Sequence, residues 1–348
     1  MNYQILQGDC RAALATLPAA SVHCCVTSPP YFGLRDYGHD GQIGLERTPA
    51  EYVAALVDVF REVRRVLRDD GTLWLNLGDS YANDDKWGGE TGGKQAYLPD
   101  NDRQRVGRER RSTGLPAKSL IGIPWRVAFA LQDDGWILRS DIIWHKPNSM
   151  PESVADRPTK SHEYLFLLTK RGRYYYDAQA IAEPAQFWQG QAATFERTGP
   201  VPEHVLPNQT AAQHRPDRGG KGGRNSFRGQ GAEREGATGP ANRDGRELAD
   251  VGYGPTRNKR SVWSVATRPY PGAHFATYPV ELVQPCILAG CPAGGTVLDP
   301  FSGSGTTGVA AIGLGREYIG IELNPAYIAL AGRRLSTTQP ALVPVSAS

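Results

Sequence analysis

Short apolar runs alternate with longer stretches of helical periodicity over the first 80 residues. "YQIL" is a brief apolar run, and "GDCRAALATLP" reads as a turn and a short helix. "SVHCCVT" (Ser21 to Thr27) has the near-continuous apolarity of a strand buried on both faces. "TPAEYVAALVDVFREVRRVLRDDG" opens with Thr48 as N-cap, Pro49 at the first helical position and Glu51 three residues after the cap. Its apolar residues recur at helical spacing through Leu67, and Gly71 ends it. "TLWLNL" follows as a second buried strand. Strand, helix and strand in this order predict a doubly wound α/β sheet with helices on both faces.

The pattern then breaks. From Asp84 to Lys118 the chain is polar and glycine-rich and carries "RQRVGRERR" (Arg103 to Arg111), which reads as a basic loop. Order resumes with a helix in "IPWRVAFALQDDG" and strands in "WILRSDIIWHKP" and "EYLFLLTK". From about Glu183 to Arg260 no periodicity survives. Between Gln213 and Arg260 stand eleven glycines, eleven Arg or Lys and six Asp or Glu, a local excess of five positive charges. Composition alone reads this stretch as a solvated linker; the functional reading is a segment that orders on a phosphate backbone. The last third regains alternation: "YPVELVQPCILAG" as a helix, "GTVLDPF" as a strand, "GTTGVAAIGLG" as a helix, "REYIGIEL" as a strand. "NPAYIALAGRRL" closes the series as a helix capped by Asn324, with Pro325 at its first position.

With 348 residues, 40% of them hydrophobic, the chain can bury a sizeable core, and its net charge of +3 neither demands nor excludes nucleic acid. The five cysteines form no CxxC pair and mostly sit in apolar runs, so they are expected to be reduced packing residues of a cytoplasmic protein. No secretory leader and no membrane span is expected. Histidines and cysteines lack metal-ligand spacing, so no structural zinc is expected either. Trp74, Trp125, Trp136 and Trp144 lie in apolar runs and are expected in the core.

Two stretches carry candidate chemistry. "VLDPFSGSGTTGVAA" places Gly303, Gly305 and Gly308 as G-x-G-x-x-G between a strand and a helix, where a tight turn lets a ligand approach the backbone. Glu322 ends the next strand, seventeen residues after Gly305, where a carboxylate can accept both hydroxyls of a ribose. A nicotinamide dinucleotide and S-adenosylmethionine both fit this context. Asp299 beside the loop disfavours a pyrophosphate and suits a sulfonium and an ammonium, which points to a methyl donor. The second stretch is "TSPPYFGLRDYG", where two prolines stiffen the chain directly after a strand.

Together these stretches carry a resemblance. Ser28-Pro29-Pro30-Tyr31 resembles the catalytic motif of DNA amino-methyltransferases, and Asp299 to Gly305 resembles their cofactor motif. Catalytic motif first, variable segment in the middle and cofactor motif last is similar to the β-class order. The resemblance covers roughly residues 1–183 and 261–335 and implies a Rossmann-like, mostly parallel seven-stranded sheet in permuted order. It implies a methyltransferase part at 1–183 with a basic loop at 84–118, a variable target-recognition or linker segment at 184–260, the cofactor part at 261–335 and a tail at 336–348. It implies S-adenosylmethionine as cofactor, with Asp299, Phe301, Gly303 and Gly305 around the methionine and adenosine, and Thr306 and Thr307 on the carboxylate. Glu322 would hold the ribose, Asp9 would lie near the adenine, and His274 and Phe275 would close the methionine end.

An exocyclic amine on a base is a poor nucleophile, because its lone pair is delocalised into the ring. Acceptors placed on its hydrogens pull it toward tetrahedral geometry. The Ser28 hydroxyl and the Pro29 carbonyl, kept rigid with Pro30, would be those acceptors, and Tyr31 would stack on a base flipped from the duplex. Serine at position 28 leans toward N4 of cytosine, with N6 of adenine the alternative. An RNA or protein amino-methyltransferase, a nicotinamide-dependent oxidoreductase and a non-catalytic nucleic-acid binder rank lower. Double-stranded DNA is the expected partner, with Arg35, Arg103, Arg105, Arg108, Arg110, Arg111, Lys221, Arg224 and Arg228 as candidate phosphate contacts. His145 and Lys146 could touch DNA or the pocket. A cognate restriction endonuclease and a monomeric or homodimeric state complete the expectations.

Overall fold

The computed structural model describes residues 3–34, 38–39, 41–82, 112–184, 256–268 and 278–339. Two compact units emerge, one formed by residues 1–182 with 258–348 and the other by residues 183–257. In the second unit the described residues are a two-residue antiparallel pair, β6 (Glu183–Pro184) with β7 (Thr256–Arg257), and Arg257 Nε bonds Glu183 at 3.0 Å.

The first unit is built on β1 (Tyr3–Gln7), α1 (Cys10–Thr16), β2 (Val22–Thr27), α2 (Pro49–Val66) and β3 (Leu67–Leu77). It continues through α3 (Ile123–Asp133), β4 (Ile137–His145), β5 (His162–Thr169), β8 (Val262–Ser264), α4 (Val280–Gly290), β9 (Thr296–Asp299), α5 (Thr306–Gly313), β10 (Glu317–Glu322) and α6 (Pro325–Thr337). The sheet order is β1-β10-β9-β2-β3-β5-β4-β8. Within this sheet only β5 pairs antiparallel with its neighbours; every other ladder is parallel.

Among the described residues the sheet therefore has eight strands where seven were expected. The extra one is β8, three residues long, pairing with β4 at the edge through Trp263 opposite Trp144. Three residues are too few to display an alternating pattern. A second difference lies at Leu67. The helical period runs on to it, but α2 ends at Val66 and Leu67 begins β3, opposite Val22 of β2. Pairing to a neighbouring strand outweighs local helical propensity there.

Caps and faces follow the sequence. Thr48 and Glu51 form the reciprocal capping box of α2, and the Asn324 side chain accepts from the Ala326 amide to start α6. Period-two alternation in the strands distributes two cores over the two sheet faces. Cys25, Leu73, Leu75 and Leu298 join Leu56, Phe60 and Val63 of α2 and Val127 and Leu131 of α3 on one side. Cys24, Val26, Trp74 and Val297 join Leu282 and Ile287 of α4 and Ala311 of α5 on the other. Trp74, Trp136 and Trp144 are buried in these cores, while Trp125 is half-buried and edge-on to Tyr164 and Phe166. All five cysteines are buried and free, and burial raises the Cys10 and Cys291 thiols to about 12, far from a reactive thiolate. Among the described residues no helix is long and apolar enough to cross a membrane, and no group of His, Cys, Asp and Glu could hold a metal ion.

This topology decides where a site can form. β2 and β9 are sheet neighbours although 269 positions separate Thr296 from Thr27. The loops leaving β1, β2, β3, β9 and β10 all emerge at one edge, where the crossovers diverge, the customary ligand site of an open α/β sheet.

Candidate active site

At that edge a cleft of about 810 Å³ opens in the first unit. Its walls include Asp9, Ser28, Pro29, Pro30, Tyr31, Phe301, Gly303, Thr306 and Glu322, so the two motifs share one cavity.

One end is built on the glycine loop. Gly303 and Gly305 have φ of +51° and +78°, in the left-handed region, which lets the chain turn sharply from β9 into α5. A Cβ on Gly305 would fall 2.9 Å from Ala331 Cβ of α6, and one on Gly308 would fall 2.6 Å from the Tyr318 ring. Gly303 lines the cleft, whereas the latter two glycines serve close packing. Glu322 Oε2 accepts from the Gly303 amide at 2.7 Å and Oε1 from the Asn324 amide at 2.8 Å. The Leu323 amide also bonds this carboxylate, which lines the cleft and keeps acceptor capacity for a ligand. Burial raises the Glu322 carboxyl above its ordinary range, against the backbone bonds that favour its ionised form. Asp9 caps α1 and accepts two bonds from the Arg11 side chain, which hold its carboxyl below the usual range.

Asp299 stands elsewhere than expected. It is 1% exposed and is not among the residues lining the cleft. Its Oδ1 accepts from the Thr27 hydroxyl at 2.6 Å and the Phe301 amide at 3.0 Å; its Oδ2 accepts from the Thr307 hydroxyl at 2.6 Å, with the Tyr278 hydroxyl at 3.1 Å. These bonds tie β2, β9 and α5 together beneath the loop. The side-chain polar atoms of Asp299 and of the buried Thr307 are engaged by protein, which gives both a bracing role in the fold. Thr306, by contrast, lines the cleft.

The other end is built on the loop after β2. The Pro30 carbonyl accepts from Tyr52 of α2 at 2.8 Å, and the Gly33 amide donates to the Gly44 carbonyl at 2.8 Å. The Tyr31 ring lies on Gly78, just past β3, so tightly that a Cβ there would collide with it. Ser28 Oγ is 3.2 Å from Asn76 Oδ1 and 3.4 Å from the Tyr31 hydroxyl, which itself is 2.7 Å from Glu163 Oε2. Lys146 pairs with Glu163 Oε1 and sits 4.3 Å from the centre of the Trp144 ring. Asn76, Glu163, Thr27 and Tyr278 went unread in the sequence. The one available signal was a lone asparagine in the apolar run "TLWLNL", since a buried amide must find partners.

At the loop end the lining residues include two carboxylates, Asp9, which is paired with Arg11, and Glu322, which is held by backbone amides. That donor set fits a ligand with a sulfonium, an ammonium and ribose hydroxyls, and it disfavours a pyrophosphate. Affinity for such a ligand is expected to fall as pH falls through the raised Glu322 pKa, because only the ionised carboxylate has acceptors on both oxygens for the ribose hydroxyls beside its backbone amides. The loss should begin above the ordinary glutamate value of about 4.3. Calorimetry across that range checks it; in Glu322→Gln the affinity should be weak and this pH dependence gone. His274 and Phe275 lie outside the described residues, as do Arg35, Arg103, Arg105, Arg108, Arg110, Arg111, Lys221, Arg224 and Arg228.

Comparison with known proteins agrees with this geometry. Residues 22–333 match the DNA methylase family. The Type II methyltransferase M.Cfr9I of Citrobacter freundii is 43% identical over 99% of this chain and 91% of its own. M.SmaI of Serratia marcescens, also a Type II methyltransferase, is 44% identical over 95% and 90%. Among solved structures, a Thermus thermophilus chain described as a putative DNA modification methylase, complexed with S-adenosyl-L-methionine, superposes with a TM-score of 0.52 at 23% identity, covering 98% of this chain and 97% of that one. The cytosine-N4-specific PvuII DNA methyltransferase does so with a TM-score of 0.57 at 17% identity, covering 100% and 89%. At those identities the two structures establish the fold. With a family match spanning most of its length and relatives above 40% identity, this chain belongs to the DNA methylase family.

Proposed function

We propose that this chain transfers a methyl group from S-adenosylmethionine to an exocyclic amino group of a base flipped out of double-stranded DNA, with N4 of cytosine as the acceptor. The observation that carries the reading is the single cleft that joins the acidic cofactor end, at Glu322 and Gly303, to Ser28 of the proline loop. Bound there, S-adenosylmethionine supplies an electrophilic methyl group carried on a sulfonium.

The rest of the chemistry belongs to the chain. Glu322 offers its remaining acceptor capacity to the ribose, and Asp9 lies near the adenine. Phe301, Gly303 and Thr306 line the same end. Ser28 Oγ and the Pro29 carbonyl accept the hydrogens of the target amine, drawing its lone pair out of conjugation. The proline backbone and the Tyr52 bond keep this arrangement rigid, so little reorganisation accompanies the transition state. Tyr31, backed by Gly78, stacks on the flipped base.

Methyl acceptance by DNA followed by nucleoside mass spectrometry tests the reading. N4-methylcytosine is the expected product; N6-methyladenine alone would overturn the base assignment, and unmodified DNA would overturn the activity. The Type II names of the relatives favour a cognate restriction endonuclease as a partner in the cytoplasm. Lys221, Arg224 and Arg228 are proposed to bind phosphates. Replacing the three with alanine should weaken DNA binding and flatten its salt dependence by about 0.9 in slope for each phosphate no longer neutralised. An unchanged slope in a titration across ionic strengths would remove them from the interface.

A further inference from the structure

Four side chains behind Ser28, those of Asn76, Tyr31, Glu163 and Lys146, form one hydrogen-bonded chain whose polarity can be worked out atom by atom. The Tyr164 carbonyl can only accept, so the Asn76 amide nitrogen faces it at 3.1 Å; the same nitrogen donates to Glu163 Oε2 at 3.3 Å. Asn76 Oδ1 is thereby turned toward Ser28 Oγ, 3.2 Å away. Tyr31 has one hydroxyl hydrogen and two candidate acceptors, Glu163 Oε2 at 2.7 Å and Asn76 Oδ1 at 3.2 Å. The shorter bond, to a carboxylate, takes it. Lys146 occupies the second oxygen of Glu163. Glu163 therefore offers Tyr31 an acceptor and no competing hydrogen. Asn76 Oδ1 and the Tyr31 oxygen then remain to receive the Ser28 hydrogen, and Ser28 presents only lone pairs to an incoming amine.

We propose that Glu163, held by Lys146, is a positioning residue that keeps the Ser28 hydroxyl an acceptor for the target amine. The inference rests on the reading under Proposed function and deepens it. Glu163 and Lys146 are 14% and 19% exposed in their side chains, and both line the cleft. Far from Ser28 in the chain, Glu163 is brought to it by β3 and β5, which pair Asn76 with Leu165 and Leu77 with Tyr164.

Glu163→Gln keeps shape and reverses polarity. The Lys146 ammonium claims the amide oxygen, so the amide hydrogens face Tyr31. Tyr31 must then turn its own hydrogen to Asn76 Oδ1, where it competes with the Ser28 hydrogen and shifts Ser28 toward donating to the amine. Measured on DNA, kcat should drop about tenfold or more, while cofactor Kd and DNA KM stay within about twofold. Tyr31→Phe in the Glu163→Gln background removes the misdirected hydrogen, so the double variant should be no slower than Glu163→Gln alone. A Glu163→Gln kcat within about threefold of the native enzyme overturns the proposal. So do losses that multiply in the double variant, or a cofactor affinity that falls together with kcat. If Glu163→Gln does not fold, the double variant Asn76→Ala with Tyr31→Phe removes both acceptors of the Ser28 hydrogen, and full turnover in it overturns the proposal equally. Native enzyme that leaves DNA unmethylated would instead sink the function reading, so the two failures are distinguishable.

Discussion

Ser28→Ala should lower kcat by about a hundredfold or more while leaving S-adenosylmethionine affinity within about twofold. The argument is geometric. Ser28 Oγ lies among Asn76, Tyr31 and Glu163, whereas the residues fitted to the cofactor stand on β1, β9 and β10 at the other end of the cleft. An acceptor that acts on the amine contributes mainly as the amine rehybridises, so its loss appears in turnover rather than in ground-state binding. Pro29→Ala should show the same split with a smaller loss, since the carbonyl survives and only its rigidity is reduced. Single-turnover kinetics beside calorimetry separates the two quantities. Collapsed cofactor affinity in Ser28→Ala would reassign the serine to the cofactor end.

Asp299→Ala should act in the opposite way, through the fold. It leaves the Thr27 hydroxyl and the Phe301 amide without their acceptor in a buried site, and the Thr307 hydroxyl with only the Val26 carbonyl at 3.4 Å and the Tyr278 hydroxyl. Stranded buried donors cost about 1–3 kcal/mol each, so a destabilisation of about 3 kcal/mol or more is expected in a denaturant titration. Cofactor binding should be lost with it, because those donors fasten the loop between β9 and α5. Asp299→Asn should recover little, since its amide hydrogens would face donors. Glu322→Gln is the contrast: it weakens cofactor affinity and costs less stability than Asp299→Ala, since the amide oxygen still serves one of the Gly303 and Asn324 amides and the other is left beside the open cleft, where water can replace the lost acceptor. An Asp299→Ala protein of native stability with weak cofactor binding would restore Asp299 as a direct ligand.

The contrast between these two carboxylates shows where reading the chain runs out. Both belong to the cofactor motif, and nothing in their sequence context separates a ligand from a brace. The distinction comes from Thr27, 272 positions away, and from Tyr278, whose hydroxyls reach Asp299 only once β2 and α4 pack beside β9. Glu163 is a similar case. In "EYLFLLTK" it is merely the polar start of an apolar strand. Its partners Tyr31, Asn76 and Lys146 come from three other segments.

The alternating α/β plan, the capped starts of α2 and α6, the two-faced core and the two motifs in permuted order were legible along the chain. Periodicity, capping and turn chemistry depend on neighbours a few residues apart, and those are written contiguously. Tertiary packing was needed to show, among the described residues, that β5 alone runs against the sheet, that β8 adds an eighth strand, that Asp299 is bonded to Thr27, Phe301, Thr307 and Tyr278, and that Asn76, Tyr31 and Glu163 gather behind Ser28. Each of these depends on hydrogen bonds between distant segments. A buried polar atom must take whichever partner the packed sheet brings within about 3 Å, and that choice exists only after folding.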